Sequence, residues 1–280
     1  MDIYYKSAGG NERFGMGDKS TSCSGIIGLE LNIFGKKLEF SIVISTDRMR
    51  LADIVSPARD LSSKITKLLL DNNIKNVPCR KGCSDCCSHH VVPLSIPGAF
   101  KLVEDISAAP DNIRELIWNN SLQVSKQILQ RKPPETFTEI PNGNLQVESF
   151  NLKYLSDWYS NLNITCPFLC NGLCIIYEQR PLACREHYIT GSAKACRGGH
   201  DEAEVIDVPV QMPTVLSRLA SELEETDMEA IMLPLSLIWC EENKMRAERT
   251  WPADLLVGRF VDIVQEMAEE HTMAFAEQPD

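Results

Sequence analysis

The chain has 280 residues, with 28 lysines and arginines against 39 aspartates and glutamates, so its formal net charge is −11. This balance excludes a general nucleic-acid binder, because binding to a phosphate backbone depends on dense positive charge. Eleven cysteines are too few for a secreted disulfide scaffold, in which cysteine exceeds about 8% of residues, and an odd number leaves one thiol unpaired. The most apolar run, Ile231–Trp239, is far shorter than the ~20 residues of a membrane-spanning helix, so no membrane association is expected.

The first elements along the chain are two β-favouring runs, Ile26–Ile33 and Leu38–Ile44. The segment Phe34-Gly35-Lys36-Lys37 between them predicts a small β-hairpin. Residues 132–146 contain three prolines and predict a loop. Helical spacing of apolar residues predicts helices over Leu61–Asn72, from Pro97 onward, over 111–130, and over Leu152–Tyr159, Thr214–Leu223, Met228–Lys244 and Pro252–His271.

Cysteine and histidine cluster along the chain. Nine of the eleven cysteines lie in two windows, 79–87 and 166–196. Thiolates and imidazoles are the ligands that suit zinc, copper and iron–sulfur clusters. The N-terminus shows no apolar secretory segment, so we expect a cytoplasmic, reducing setting, where neighbouring cysteines bind metals more often than they form disulfides. The histidines that lie near the windows are His89, His90, His187 and His200.

The first window begins at Cys79 and continues with Cys83, Cys86 and Cys87. Two cysteines separated by two residues can direct both sulfurs to one centre, because the backbone between them forms a tight turn, and Gly82 relaxes the φ angle there. The first three also match the spacing of radical S-adenosylmethionine enzymes, but the strands of their βα-barrel are missing from the predicted elements. The side chains of the adjacent Cys86 and Cys87 are expected to diverge, so that one of them lies beside the ligands or acts as a redox thiol.

The second window contains an Asn171-Gly172 pair, which predicts a turn that brings Cys166 or Cys170 back beside Cys174. A short helix is predicted over Ile175–Arg180, and Cys184 follows it. The pattern therefore predicts three or four thiols on one compact knuckle.

Together the two windows resemble the CxxCxxCC cysteine-cluster family of zinc- or iron-chelating proteins, some of which are similar to flagellin lysine N-methylases. The resemblance covers about residues 79–188 and implies metal binding, but it fixes neither the metal nor the reaction. Cys170, Cys196 and His200 are extra to the family pattern. The matching residues are Cys79, Cys83, Cys86, Cys87, Cys166, Pro167, Cys174, Ile176, Tyr177, Arg180, Pro181, Cys184 and Arg185.

The number of matching cysteines limits the kind of site. One 4Fe-4S cluster, or one zinc bound by thiolates alone, needs four cysteines, so seven cannot complete two such sites. We expect one principal site that draws on both windows, with Cys83, Cys86, Cys166 and either Cys184 or Cys174 as core ligands. Two sites, completed by Cys170, Cys196 or a histidine, stay open. The metal ligands predicted from the family pattern are Cys79, Cys83, Cys86, Cys87, Cys166, Cys174 and Cys184.

The histidines, two arginines and two remaining cysteines are expected to have structural roles. The histidines are expected to be neutral or hydrogen-bonded near the surface. Arg180 and Arg185 are expected to pair with carboxylates or with sulfurs. Cys23 and Cys240 are expected to be structural.

These patterns predict a mainly α, α-rich α+β fold, in which a helical metal-binding core follows a small N-terminal β-hairpin. The expected segments are a hairpin and helix over 1–75, a cysteine-cluster domain over 76–200 and a helical segment over 201–280. The expected function is binding of an iron–sulfur cluster, of the 4Fe-4S type, or of zinc, with a redox role and a protein substrate or redox partner. The alternatives are a cluster-dependent protein-lysine methyltransferase that uses S-adenosylmethionine, and a structural zinc module for partner binding. The sequence names neither the substrate nor the oligomeric state.

Overall fold

The computed structural model describes residues 5–7, 25–72, 76–131, 144–146, 152–197 and 203–276. Helices dominate this part of the chain and the strands are short and antiparallel, so the predicted α-rich α+β class is confirmed. The helices are α1 (Val55–Asp71), α2 (Ile96–Ser107), α3 (Asp111–Gln130), α4 (Leu152–Leu162), α5 (Leu182–Glu186), α6 (Met212–Glu224), α7 (Ser236–Glu242), α8 (Lys244–Ala247) and α9 (Ala253–Ala276). Within these residues, no helix is both long and apolar enough to cross a membrane.

The predicted hairpin is confirmed, and it joins a three-stranded sheet. Strand β1 (Tyr5–Ser7) pairs with β2 (Gly25–Ile33), which pairs with β3 (Lys36–Ile44). The turn is shorter than the predicted four residues, because Lys36 pairs with Ile33 and leaves only Phe34 and Gly35 between the strands. Both turn residues have positive φ angles, which match the right-handed twist of a two-residue hairpin.

The remaining strands join distant parts of the chain. Strand β4 (Arg48–Arg50) pairs with β10 (Thr250–Pro252), and β7 (Leu169–Cys170) pairs with β8 (Leu173–Cys174). The central strand of the third sheet is β9 (Glu229–Met232), which lies between β5 (Pro93–Ser95) and β6 (Asn144–Gln146). Strand β6 falls within the predicted loop over 132–146, of which residues 132–143 lie outside the described residues.

Two helix predictions are wrong. The segment Met228–Lys244 begins with β9, continues through a 3₁₀ turn over Leu233–Leu235 and becomes helical only from Ser236. Pro234 interrupts a helix, and pairing with β5 and β6 satisfies the backbone of the residues before it. The segment Ile175–Arg180 forms turns, and the short helix α5 begins after Pro181.

The buried side chains of the three predicted segments pack in one main core. Leu31 of the hairpin, Leu61 of α1 and Phe100 of α2 belong to the same cluster as Leu216 of α6 and Phe260 of α9. A smaller cluster lies between α3, α4 and the end of β9. The division into domains stays a prediction, and the shared core supports the loops that contain the cysteines.

A buried carboxyl group connects three helices near the second cysteine window. Glu186, at the end of α5, accepts hydrogen bonds from the Ser62 hydroxyl of α1 at 2.5 Å and from the Met212 N–H of α6 at 3.1 Å. Burial raises the pKa of Glu186 to about 8, so the carboxyl group is largely protonated at neutral pH. This contact fixes the position of α5, the helix that contains Cys184.

Removal of the Glu186 carboxyl group is expected to destabilise the fold. In Glu186→Ala the buried donors on Ser62 and Met212 lose their acceptor, and the free energy of unfolding should fall by about 3 kcal/mol in urea denaturation. Glu186→Gln keeps an oxygen acceptor and should lose about 1 kcal/mol or less. Glu225→Gln, at an exposed position, is the control and should change stability by less than about 0.5 kcal/mol. Equal stability of the Glu186→Ala and Glu186→Gln proteins would contradict the assigned contact.

Candidate metal centre

The first cysteine window forms a turn followed by a short 3₁₀ helix, Asp85–Ser88. Gly82 has a φ angle of +90°, which favours glycine, and the Cys83 N–H donates to the Arg80 carbonyl at 3.0 Å. Cys86 and Cys87 lie on the 3₁₀ helix, where the Cys87 N–H donates to the carbonyl of Ser84. The chain therefore turns back between Cys79 and Cys83, and the two adjacent thiols of Cys86 and Cys87 follow this turn.

The second window is a two-stranded ribbon followed by helix α5. Asn171 and Gly172 both have positive φ angles and form the predicted turn between β7 and β8. In this ribbon Cys174 lies opposite Leu169, while Cys170 lies opposite Leu173. Cys184 returns on α5, so the ribbon and the helix bring separate parts of the window together.

Backbone N–H groups point at several sulfurs. The Cys166 thiol accepts from the N–H of Phe168, and the Cys174 thiol accepts from the N–H of Ile176. The Cys79 thiol likewise accepts from a backbone N–H, that of Ile189. Such donors orient sulfur ligands and tune the metal that they bind.

Direct contacts join the two windows. The Cys166 N–H donates to the Cys87 carbonyl at 2.8 Å, so the backbones of the two cysteines are in contact. At the surface, the Lys81 ammonium lies 2.8 Å from the Glu178 carboxylate. Arg197, near the end of the second window, pairs with Asp85 in the first. Segments about 80 to 110 residues apart in sequence therefore form one unit.

The two windows line one cavity of about 200 Å³, here called the cysteine pocket. Apolar side chains complete its wall, including Phe168 of the second window and Leu233 next to β9. Cys79 is absent from the lining but interacts electrostatically with Cys83 and Cys86. Six of the seven predicted ligands line this pocket: Cys83, Cys86, Cys87, Cys166, Cys174 and Cys184.

The cysteines outside the predicted set lie in different places. Cys170 is absent from the pocket lining, although it lies on the ribbon. Cys240 is buried in the main core, at 5% exposure. Cys23 and His200 lie outside the described residues. Cys196 is buried on a 3₁₀ helix, Ala193–Arg197, beside the first window.

Burial makes the thiols of the second window difficult to ionise. It raises the pKa of Cys166 to about 12, and it raises the pKa values of Cys174 and Cys184 as well. A thiolate in such a place requires a nearby positive charge, and a coordinated metal ion supplies that charge because it displaces the thiol proton.

The adjacent Cys86 and Cys87 do not diverge as expected. Their thiols form a hydrogen bond, which lowers the pKa of Cys86 to about 7 and raises that of Cys87. Cys86 is therefore the thiol of this pair that ionises first.

Arg180 provides a positive charge beside the pocket. Its guanidinium carbon lies 4.2 Å from the centre of the Tyr177 ring, and its charge lowers the pKa values of Cys86 and Cys174. Arg180 fits the expected interaction with sulfur atoms. Arg185 interacts electrostatically with the Glu178 carboxylate, and its guanidinium also donates to the backbone carbonyls of Arg180 and Glu178.

Three further side chains form a tighter group beside the thiols. One ligand atom from each of His90, His187 and Cys196 lies within 4.8 Å of the other two. Among the described residues, no other three such side chains form so tight a group. Burial lowers the pKa of His90 to about 4 and lowers that of His187, so both imidazoles are neutral at pH 7. The sequence offered one signal for them, since each histidine lies three or four residues after a cysteine of the pocket, Cys86 or Cys184.

No protein-family model, curated protein or solved structure matches the chain. The resemblance to the cysteine-cluster family therefore stays a prediction.

The reactivity of Cys86 tests the electrostatics of the pocket. In reduced, chelator-treated protein, iodoacetamide should modify Cys86 with a rate that is half-maximal near pH 7, because the thiolate is the reactive form. Cys166 should stay largely unmodified below pH 9, since its pKa is raised. Peptide mass spectrometry measures both rates. Cys87→Ala removes the hydrogen-bond partner and should move the half-maximal pH of Cys86 to about 8.5 or above. A half-maximal pH that does not change in this variant would contradict the assigned hydrogen bond.

Proposed function

We propose that the cysteine pocket binds an iron–sulfur cluster of the 4Fe-4S type and that the protein has a redox role in the cytoplasm. The observation that carries this proposal is the convergence of six thiols from two distant windows on one cavity. Four thiolates are the usual ligands of such a cluster, so the pocket has enough donors. A bound cluster supplies one-electron chemistry.

The spacing of the thiols favours a cluster over a single zinc ion. Two sulfurs bound to one zinc lie no more than about 4.6 Å apart, twice the zinc–sulfur distance of about 2.3 Å. Within the described residues, no three of these thiols lie within 4.8 Å of one another. In a cluster each thiolate binds a different iron atom. The distances between the ligand sulfurs are therefore longer than those around a single metal ion.

The surroundings of the thiols also fit a cluster. The N–H groups of Phe168 and Ile176 donate to sulfurs, and Arg180 places a positive charge near Cys174 and Cys184. Hydrogen bonds, charge and exclusion of solvent are the means by which a protein tunes a cluster potential. In this arrangement Cys86, Cys166 and Cys184 act as ligands from both windows, and the remaining pocket cysteines complete the set.

Anaerobic metal analysis tests this function. Protein purified without oxygen should be brown and contain iron and acid-labile sulfide in equal amounts. Cys86→Ala and Cys184→Ala remove one thiol from each window, and each should lose most of the iron and sulfide. Cys170→Ala is the matched control, because this cysteine lies in the same region but outside the pocket lining, and it should keep both.

Two results would contradict the cluster. Colourless protein with about one zinc and no sulfide would favour the structural zinc module. Full iron content in both pocket variants would contradict a site that both windows share.

The second candidate function is a cluster-dependent protein-lysine methyltransferase that uses S-adenosylmethionine. It gains support from a second pocket of about 490 Å³, which shares Pro93, Ala183 and His187 with the lining of the cysteine pocket. A pocket in that position offers space for a reactant beside the centre, which a purely structural zinc module does not need.

A methyl-transfer assay separates the two candidates. The cluster-loaded protein should transfer the labelled methyl group of S-adenosylmethionine to lysines of a protein substrate if it is a methyltransferase. A redox protein should instead exchange electrons with a low-potential dye and transfer no label.

A further inference from the structure

The group formed by His90, His187 and Cys196 contains none of the six pocket thiols, although both of its imidazoles line the cysteine pocket. Two of its members are imidazoles, and its thiol is absent from the pocket lining. We propose that these three side chains bind a second, mononuclear metal ion of the zinc class beside the cluster site.

The distances are close to those of a coordinated ion. Nitrogen and sulfur bind zinc at about 2.0 to 2.3 Å, so two ligand atoms of one ion lie no more than about 4.6 Å apart. The three ligand atoms lie within 4.8 Å of one another, and shifts of a few tenths of an ångström bring them to one ion. The two imidazole centroids are 4.6 Å apart and tilted by 54°, and the rings are not stacked in parallel.

An unsatisfied buried atom supports the same assignment. The Nε2 atom of His187 is buried and has no hydrogen-bond partner. A buried polar atom without a partner is costly, and a neutral imidazole nitrogen is the commonest metal ligand in proteins. A metal ion at this position satisfies the atom.

Each of the three ligands is placed by an element that already supports the cysteine pocket. His90 follows the 3₁₀ helix of Cys86, and its N–H donates to the Cys86 carbonyl at 3.0 Å. His187 is the C-cap of α5, the helix of Cys184. The 3₁₀ helix of Cys196 is joined to the first window by the ion pair between Arg197 and Asp85. No further rearrangement of the chain is needed to bring the ligands together.

The ligand set indicates the chemistry of the ion. Two imidazoles and one thiolate suit zinc, and three protein ligands leave one position of a tetrahedral ion for water or for a substrate. His187 lines both the cysteine pocket and the larger neighbouring pocket. An ion bound to His187 is therefore held by a side chain that lines both cavities, next to the space that a reactant could occupy.

Titration with Co²⁺ tests the second ion in the full-length protein. His90→Ala, His187→Ala and Cys196→Ser should each bind one Co²⁺ per chain fewer than the wild type, with an affinity loss of at least about 100-fold at that site. The Cys196→Ser variant should also lose thiolate-to-cobalt charge-transfer absorption relative to the wild type. His89→Ala is the matched control, because this neighbouring imidazole lies outside the group, and it should bind as the wild type does.

The experiment compares the Co²⁺ stoichiometry of each variant with that of the wild type. The difference does not depend on what the cysteine pocket binds. Iron and sulfide measured on the same samples report on the cluster separately. The comparison uses the variants whose circular dichroism matches that of the wild type. Equal Co²⁺ stoichiometry in these variants and the wild type, or an unchanged charge-transfer band in Cys196→Ser, would overturn the second site.

Discussion

Several sulfur atoms are buried around one small cavity, and this burial constrains the rest of the structure. Burial raises the pKa values of Cys166, Cys174 and Cys184, so their thiolate forms require compensating positive charge. Arg180 supplies part of that charge, and backbone N–H groups supply partial charges directed at the sulfurs. These groups stabilise thiolates. A purely apolar core of neutral thiols does not need such stabilisation. They are consistent with the proposed metal centre, in which the metal provides the remaining charge.

The rest of the fold brings the sulfurs together from distant parts of the chain. Antiparallel pairing places β9 next to β5, so the apolar residues after β9 close one wall of the cysteine pocket. The buried carboxyl group of Glu186 joins α5 to α1 and α6 and thereby positions Cys184. A hydrogen bond between Cys166 and Cys87 then joins the two windows. The arrangement of the pocket thiols therefore depends on contacts between residues that are distant in sequence.

Local patterns predicted much of this arrangement. The hairpin follows from alternating apolar residues around Phe34-Gly35, most helices follow from apolar periodicity, and the two cysteine windows pointed to one pocket. Tertiary contacts decided the failures. The segment Met228–Lys244 has helical periodicity, but Glu229–Met232 near its start pair as the central strand of a sheet whose partners are distant in sequence. The spacing of each histidine from a pocket cysteine was the one local signal for His90 and His187, but the grouping with Cys196 was not predictable, because the members are separated by up to about 100 residues and meet only in the folded chain.

Anomalous diffraction from crystals grown without oxygen tests the central claim most directly. Data collected across the iron and zinc absorption edges locate each metal independently of the protein chain. Iron density is expected in the cysteine pocket, bonded to sulfurs of both windows, including Cys86 and Cys184. Absence of iron from the pocket, or a metal bound by the cysteines of one window alone, would contradict that claim.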